Sequence, residues 1–204
     1  MARLQELLVM AEYRGLHLLK GDGRTTEVKF LKWWLRRVPS IRRKFIKWAD
    51  DFDPFAYNEA ASVAVLSNAA SKAGYLAHTE YVATKRHSTQ GRPFRNGRCD
   101  LWVADAYSEL SWAFEFKQHF AYGNIRQGTF DSWLERARMD ARALDYFEAD
   151  YRVGCMILCP RRDLTIDDDL ITRFDALCTV ADIAFRIGSG DTAIWLAFKH
   201  AFGN

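Results

Sequence analysis

The stretch Trp112–Phe120, WAFEFKQHF, decides how this chain is read. Side chains alternate faces along a strand, so Trp112, Phe114 and Phe116 share one side and Ala113, Glu115 and Lys117 the other. The aromatic side is suited to a core. The other side carries a carboxylate and an ammonium two residues apart, and charge is costly to bury unless it is paired or binds an ion.

Working outward, CDLWVA (Cys99–Ala104) reads as the preceding strand, joined through the turn DAYSE. GYLAHTEYVATK, from Gly74, reads as the strand before that. GRPFRNGR between them reads as a polar, basic loop. Upstream, Asp53-Pro54 is a helix-start signal, with Asp53 accepting free amide hydrogens and Pro54 in the first turn. That helix runs through NEAASVAVLSNAASKA and stops at Gly74. Downstream come a long helix, TFDSWLERARMDARALDYF, a strand YRVGCMILCP, a helix DDDLITRFDALCTV, and two short strands, DIAFRI and TAIWLAF. Helix, three-strand meander, helix and strand in that order predict an α/β sandwich.

The first 50 residues differ from the rest. They hold 12 Lys/Arg against 5 Asp/Glu, whereas the remainder holds 17 against 21. They read as a basic helical segment packed on a core of residues 51–204. Helices are expected over 3–20, over Glu27–Val38 with Pro39 as a stop, and from Ser40 onward. A basic end beside an acidic body points to an anionic partner for the first and a separate use of carboxylates in the second. The opening residues carry Arg3, Glu6 and Glu12 among apolar positions, unlike a secretory signal. No apolar run reaches membrane-spanning length, so a cytoplasmic chain with no membrane partner is expected. Cys99, Cys155, Cys159 and Cys178 show no zinc-ligand spacing and are expected to be buried, reduced thiols.

A hairpin centred on Ala106-Tyr107 sets Asp100 across from Ala113, with Glu115 as its diagonal neighbour. Two carboxylates that close repel unless a cation lies between them. Hard oxygen donors favour Mg²⁺, which takes one or two carboxylates and keeps several waters. Lys117 projects beside them, where its ammonium could orient a water or neutralise charge on a phosphate.

Asp100, then Glu115-Phe116-Lys117, with Glu59 in the helix before the meander, resembles the PD-(D/E)XK nuclease superfamily over roughly residues 55–160. The resemblance implies a restriction-endonuclease-like αβββαβ core. It also implies a metal-dependent nuclease that hydrolyses phosphodiester bonds by metal-activated water, with DNA favoured over RNA. Asp100, Glu115 and the carbonyl of Phe116 would be metal ligands, with Mn²⁺ able to replace Mg²⁺. Lys117 would be the catalytic lysine, Glu59 the helical acid, and Gln118 an auxiliary. Cys99 stands where many members have proline, and the Gln-x-x-x-Tyr element of the RecB-like branch is absent.

Phosphate backbones are held by Lys and Arg. Two stretches offer them: Lys85, Arg86, Arg92, Arg95 and Arg98 before the Asp100 strand, and the helical cluster around Arg42 and Arg43. A homodimer would allow double-strand cuts. The plainer alternatives are a solvated charge pair at Glu115 and Lys117, a helix-dipole role for Glu59, and a silent nuclease-like fold that binds nucleic acid or serves in an assembly.

Overall fold

A computed structural model describes residues 15–49, 52–86 and 94–202. Its centre is a seven-stranded mixed sheet in the order β1-β6-β7-β5-β4-β3-β2. The strands are β1 (Leu16–Lys20), β2 (Leu76–Arg86), β3 (Phe94–Asp105), β4 (Leu110–Ala121), β5 (Tyr151–Pro160), β6 (Ile183–Ile187) and β7 (Ile194–His200). All neighbours are antiparallel except β4 and β5, whose parallel pairing requires the crossover helix between them. The helices are α1 (Thr26–Leu35), α2 (Val38–Trp48), α3 (Glu59–Lys72), α4 (Gln127–Ala143) and α5 (Asp168–Leu177). No helix among the described residues is long and apolar enough to cross a membrane.

Helices cover both faces. On one, α1, α2 and α3 bury Trp34, Val38, Val65 and Leu66 against Trp112, Phe114 and Phe116, as the aromatic alternation of β4 predicts. Phe30 stacks on Trp112 at 3.9 Å between ring centroids, and the Trp34 indole N–H donates to the Leu66 carbonyl at 2.7 Å. On the other face, α4 and α5 bury Phe130, Leu134 and Phe174 against Met156, Leu158 and Trp195. Strand β5 is therefore covered on both sides, which is why its sequence is a continuous apolar run. All four cysteines are free and buried, and burial pushes the Cys99 thiol up to about 12, far from a reactive thiolate.

The structure corrects several sequence expectations. Residues 16–20 are a strand and not the end of a helix: Gly15 turns at φ 121°, and Leu16–Lys20 then adds to β6 as an edge strand. Pairing with a neighbour has overridden local helix preference there; residues 1–14 lie outside the described residues. Pro39 does not stop α1 but sits in the first turn of α2. Asp53-Pro54 opens only a short 3-10 turn, with Asp53 capping the Phe55 amide. The helix proper starts at Asn58, whose side chain accepts from Ala61 N at 2.8 Å, so Glu59 is its first residue. The expected basic loop after β2 is largely strand, since β3 begins at Phe94. Arg92 and His87 lie outside the described residues. Val28, Phe30, Leu31, Trp34, Leu35 and Val38 belong to the same buried cluster as the aromatic face of β4.

Two glycines give opposite expectations. At Gly154, on β5, a Cβ would lie 2.3 Å from the Arg138 amide nitrogen, because α4 rests directly on the strand. At Gly128, in the first turn of α4, a Cβ would meet nothing within 4 Å. In urea unfolding, Gly154→Ala is expected to cost about 3 kcal/mol or more. Gly128→Ala is expected to stabilise by about 0.4–1 kcal/mol.

Candidate active site

The site forms where β3 and β4 part. Their ladder runs from Asp105↔Leu110 to Leu101↔Phe114 and ends there. Trp102, not Asp100, faces Ala113, so the register differs by two residues from the expected one. Beyond the split, the amides of Phe116 and Gln118 have no strand partner on that side among the described residues. Two carboxylates answer them. Asp100 Oδ2 accepts from Phe116 N and Glu59 Oε2 accepts from Gln118 N, both at 2.7 Å. Leaving a buried N–H unmet costs about 1–3 kcal/mol, so these bonds hold the fork open at a fixed width.

Both outer strands turn over at the same level. Leu101 packs beneath the α3 cluster, yet Cys99 packs against Ala113 and Leu144 on the opposite face. Likewise Ala77 belongs to the first cluster, and Tyr81 and Ala83 to the second. Positions two apart in a strand normally share a face. The exchange occurs at Asp100 and at Glu80 between its flanking pairs, and Glu80 has φ 53°, a sparsely populated conformation for a non-glycine residue. Such outliers gather at functional sites. A cleft of about 130 Å³ lined by Glu59, Val63, Thr79, Glu80 and Asp100 opens at this level.

Asp100 links the acids electrostatically. Burial raises Glu59, Asp100 and Glu115 above ordinary carboxylate values, and the charge of Asp100 adds to the rise at both glutamates. Glu115, 3% exposed, is pushed up to about 7. It is thus not the solvated surface residue of the plainer reading. Glu59 does more than meet the helix dipole, since its carboxylate accepts from the Gln118 amide.

The two lysines divide differently from the sequence expectation. The ammonium of Lys117 lies 2.8 Å from Asp140 Oδ2 on α4. Burial lowers its pKa, but Asp140, Glu59 and Asp100 outweigh this and leave it raised. Asp140, which in sequence only dilutes the basic charge of the long helix, positions the motif lysine. Lys85, expected to reach outward to phosphate, instead turns inward and places Nζ 2.8 Å from Glu115 Oε1. Arg42 is also internal: it pairs with Asp53 and donates to the Thr192 carbonyl, tying α2 to the chain before β7. Of the remaining basic candidates, Arg43, Arg86, Arg95 and Arg98 are exposed. Arg98 meets Glu80 at 3.3 Å, and Arg86 lies 3.5 Å from Asp145.

The donors fit a divalent cation in kind. Asp100 and Glu115 are hard oxygen ligands in a poorly neutralised, proton-attracting spot, and Mg²⁺ needs only one or two carboxylates plus waters. Gln118 adds a buried Oε1 that has no hydrogen-bond partner among the described residues, while its Nε2 donates to the Phe55 carbonyl at 2.9 Å. The three acids do not form a preformed cage, however. Among the described residues no three His, Cys, Asp or Glu side chains converge closely enough to hold a metal. The expected set of Glu59, Asp100 and Glu115 is therefore not a single cluster, and Glu59 is engaged on the Gln118 amide.

No protein-family model, curated protein or solved structure matches the chain.

The raised value of Glu115 has a consequence for stability. From its ordinary 4.5 to about 7, the folded chain holds a proton that the unfolded chain has lost. Stability must fall as pH rises through that window, by about 3 kcal/mol from this group. Above it the contribution is flat. Urea unfolding across pH should show this decline in the parent. Glu115→Gln should show a shallower one, since Glu59 and Asp100 still act in the same direction. Parallel pH curves for the two proteins would contradict the assignment.

Proposed function

We propose that the chain is a metal-dependent nuclease of the PD-(D/E)XK type, acting on nucleic acid with DNA favoured. The observation that carries this reading is the partly buried Asp100 and the buried Glu115 at the β3–β4 fork, with the charge of Asp100 acting on both Glu115 and Lys117. The order α3-β2-β3-β4-α4-β5, antiparallel through the meander and parallel between β4 and β5, supports a restriction-endonuclease-like core. The exposed Arg43, Arg86, Arg95 and Arg98 suit a polyanion, through contacts that weaken with salt.

In this reading Asp100, Glu115 and the Phe116 carbonyl would hold a Mg²⁺ or Mn²⁺ ion. When bound, it supplies charge stabilisation at a phosphate and a lowered water pKa. The chain's own residues supply position. Asp100 is fixed by the Phe116 amide, so its carboxylate cannot follow the substrate. Glu59 ties α3 to β4 through the Gln118 amide and keeps the fork rigid. Lys117 is held by Asp140 at a half-exposed position, from which its ammonium can turn to a phosphate oxygen and offset charge that grows in the transition state.

A second reading has its own support. Each acid already has a protein partner: Glu59 the Gln118 amide, Asp100 the Phe116 amide and Glu115 the Lys85 ammonium. A silent nuclease-like fold that binds nucleic acid would have the same contacts.

Cleavage of plasmid and single-stranded substrates with Mn²⁺ separates the two. Asp100→Asn keeps an acceptor for the Phe116 amide, so it should fold normally and lose activity about a hundredfold or more. Lys117→Ala should fall by about 10²–10³. Salt-dependent binding by the parent without any Mn²⁺-dependent cleavage would favour the silent reading. Cleavage unaltered by both substitutions would remove these residues from the mechanism.

A further inference from the structure

The lysine in contact with the buried carboxylate is not the one in the motif. We propose that Lys85 is the resident cation of Glu115, and that a divalent ion reaches this carboxylate only by displacing it. The inference rests on the metal-dependent reading of the same site.

Three independent features build Lys85 into place. The first is the path of its stem. Gly97 lies beneath it, and a Cβ there would come within 2.7 Å of Lys85 Cδ, 3.0 Å of Cγ and 3.2 Å of Cε. Gly97 does not have the left-handed backbone that would itself call for glycine. What the missing side chain provides is a channel over β3, along which the lysine crosses from the edge strand to Glu115 on β4.

The second is the anchoring of β2 at this point. The Thr84 amide donates to Glu148 Oε1 at 2.6 Å, the Thr84 carbonyl accepts from Asp145 N at 2.8 Å, and Lys85 forms a bridge with Leu144. The segment after α4 thus holds the backbone that delivers the lysine. The third is burial. The side chains of Lys85 and Glu115 are 14% and 4% exposed, against 33% and 46% for Lys117 and Asp140. A buried ion pair with one partner removed is strongly unfavourable, so Glu115 needs a cation beside it whenever it is ionised.

The two lysines then have separate jobs. Lys117, on Asp140, stays outside the carboxylate pair. Lys85 holds the inner seat and yields it to a doubly charged ion that Asp100 and Glu115 can share. The released ammonium moves toward the strand end where Arg86 and Arg95 are exposed, which brings it to the side expected to meet phosphate.

The test is Mn²⁺ binding, by calorimetry and by the loss of the free-ion paramagnetic signal, on the full chain without nucleic acid at one fixed pH. Lys85→Met should bind Mn²⁺ about tenfold tighter or more, as removal of a competing charge a few ångströms away implies. Gly97→Ala keeps every charge but crowds the stem and pushes it off its path to Glu115, so it should tighten binding in the same direction. It also serves as the readout if Lys85→Met does not fold. Lys117→Met should change affinity less than either. Unchanged affinity in Lys85→Met and Gly97→Ala overturns the proposal, as does tightening in Lys85→Met alone or an equal effect from Lys117→Met. Failure of every protein, parent included, to bind Mn²⁺ overturns the metal-dependent reading and this inference with it.

Discussion

The divergence of β3 from β4 after the Leu101–Phe114 pair is the constraint on which the rest of the site depends. Two strands that separate inside a covered sheet leave amide hydrogens without acceptors, and the interior offers no water to replace them. Here the acceptors are carboxylates, from the turned-over part of β3 and from the first residue of α3. An N–H to carboxylate bond contributes about 1.5–3 kcal/mol, enough to retain the charges in a region that raises their proton affinity. The fork is therefore stabilised by acidic groups that still lack full neutralisation. A structural solution to an open ladder and a seat for a cation are the same set of atoms.

That coupling explains why the acids resist assignment to a single role. Glu59 is a helix N-terminal residue, a cap for a strand amide and a neighbour of Asp100. Asp100 stands between the two glutamates. Among the described residues Glu115 bonds to no backbone group, and its partner is a lysine brought across a glycine from the sheet edge. Among the three, Glu115 is thus the acid whose position is explained only by charge.

Much of the architecture was legible because its signals are local. The alternation of Trp112, Phe114 and Phe116 gave the buried face of β4, and the unbroken apolar run of β5 matched a strand covered on both sides. The site acids were legible too, but their mutual placement was not. A hairpin register depends on the turn, and the two-residue error at Asp105–Leu110 moved every facing pair. The turning over of β2 and β3 at Glu80 and Asp100 breaks the period-two rule itself, so no alternation could reveal it. Lys85 and Arg42 were misread for a common reason. Both sit in basic stretches that look solvated, and each is turned inward by an acid distant in sequence, Glu115 for one and Asp53 for the other. Leu16–Lys20 failed as a helix because its fate is decided by β6, some 170 residues away.

The most direct test of the central claim is a crystal structure grown with Mn²⁺ and measured for anomalous scattering. The account expects one peak within about 2.0–2.3 Å of an oxygen from both Asp100 and Glu115, with the Lys85 ammonium withdrawn. A map with no peak at the fork, and Glu115 still bonded to Lys85 at saturating Mn²⁺, would contradict it.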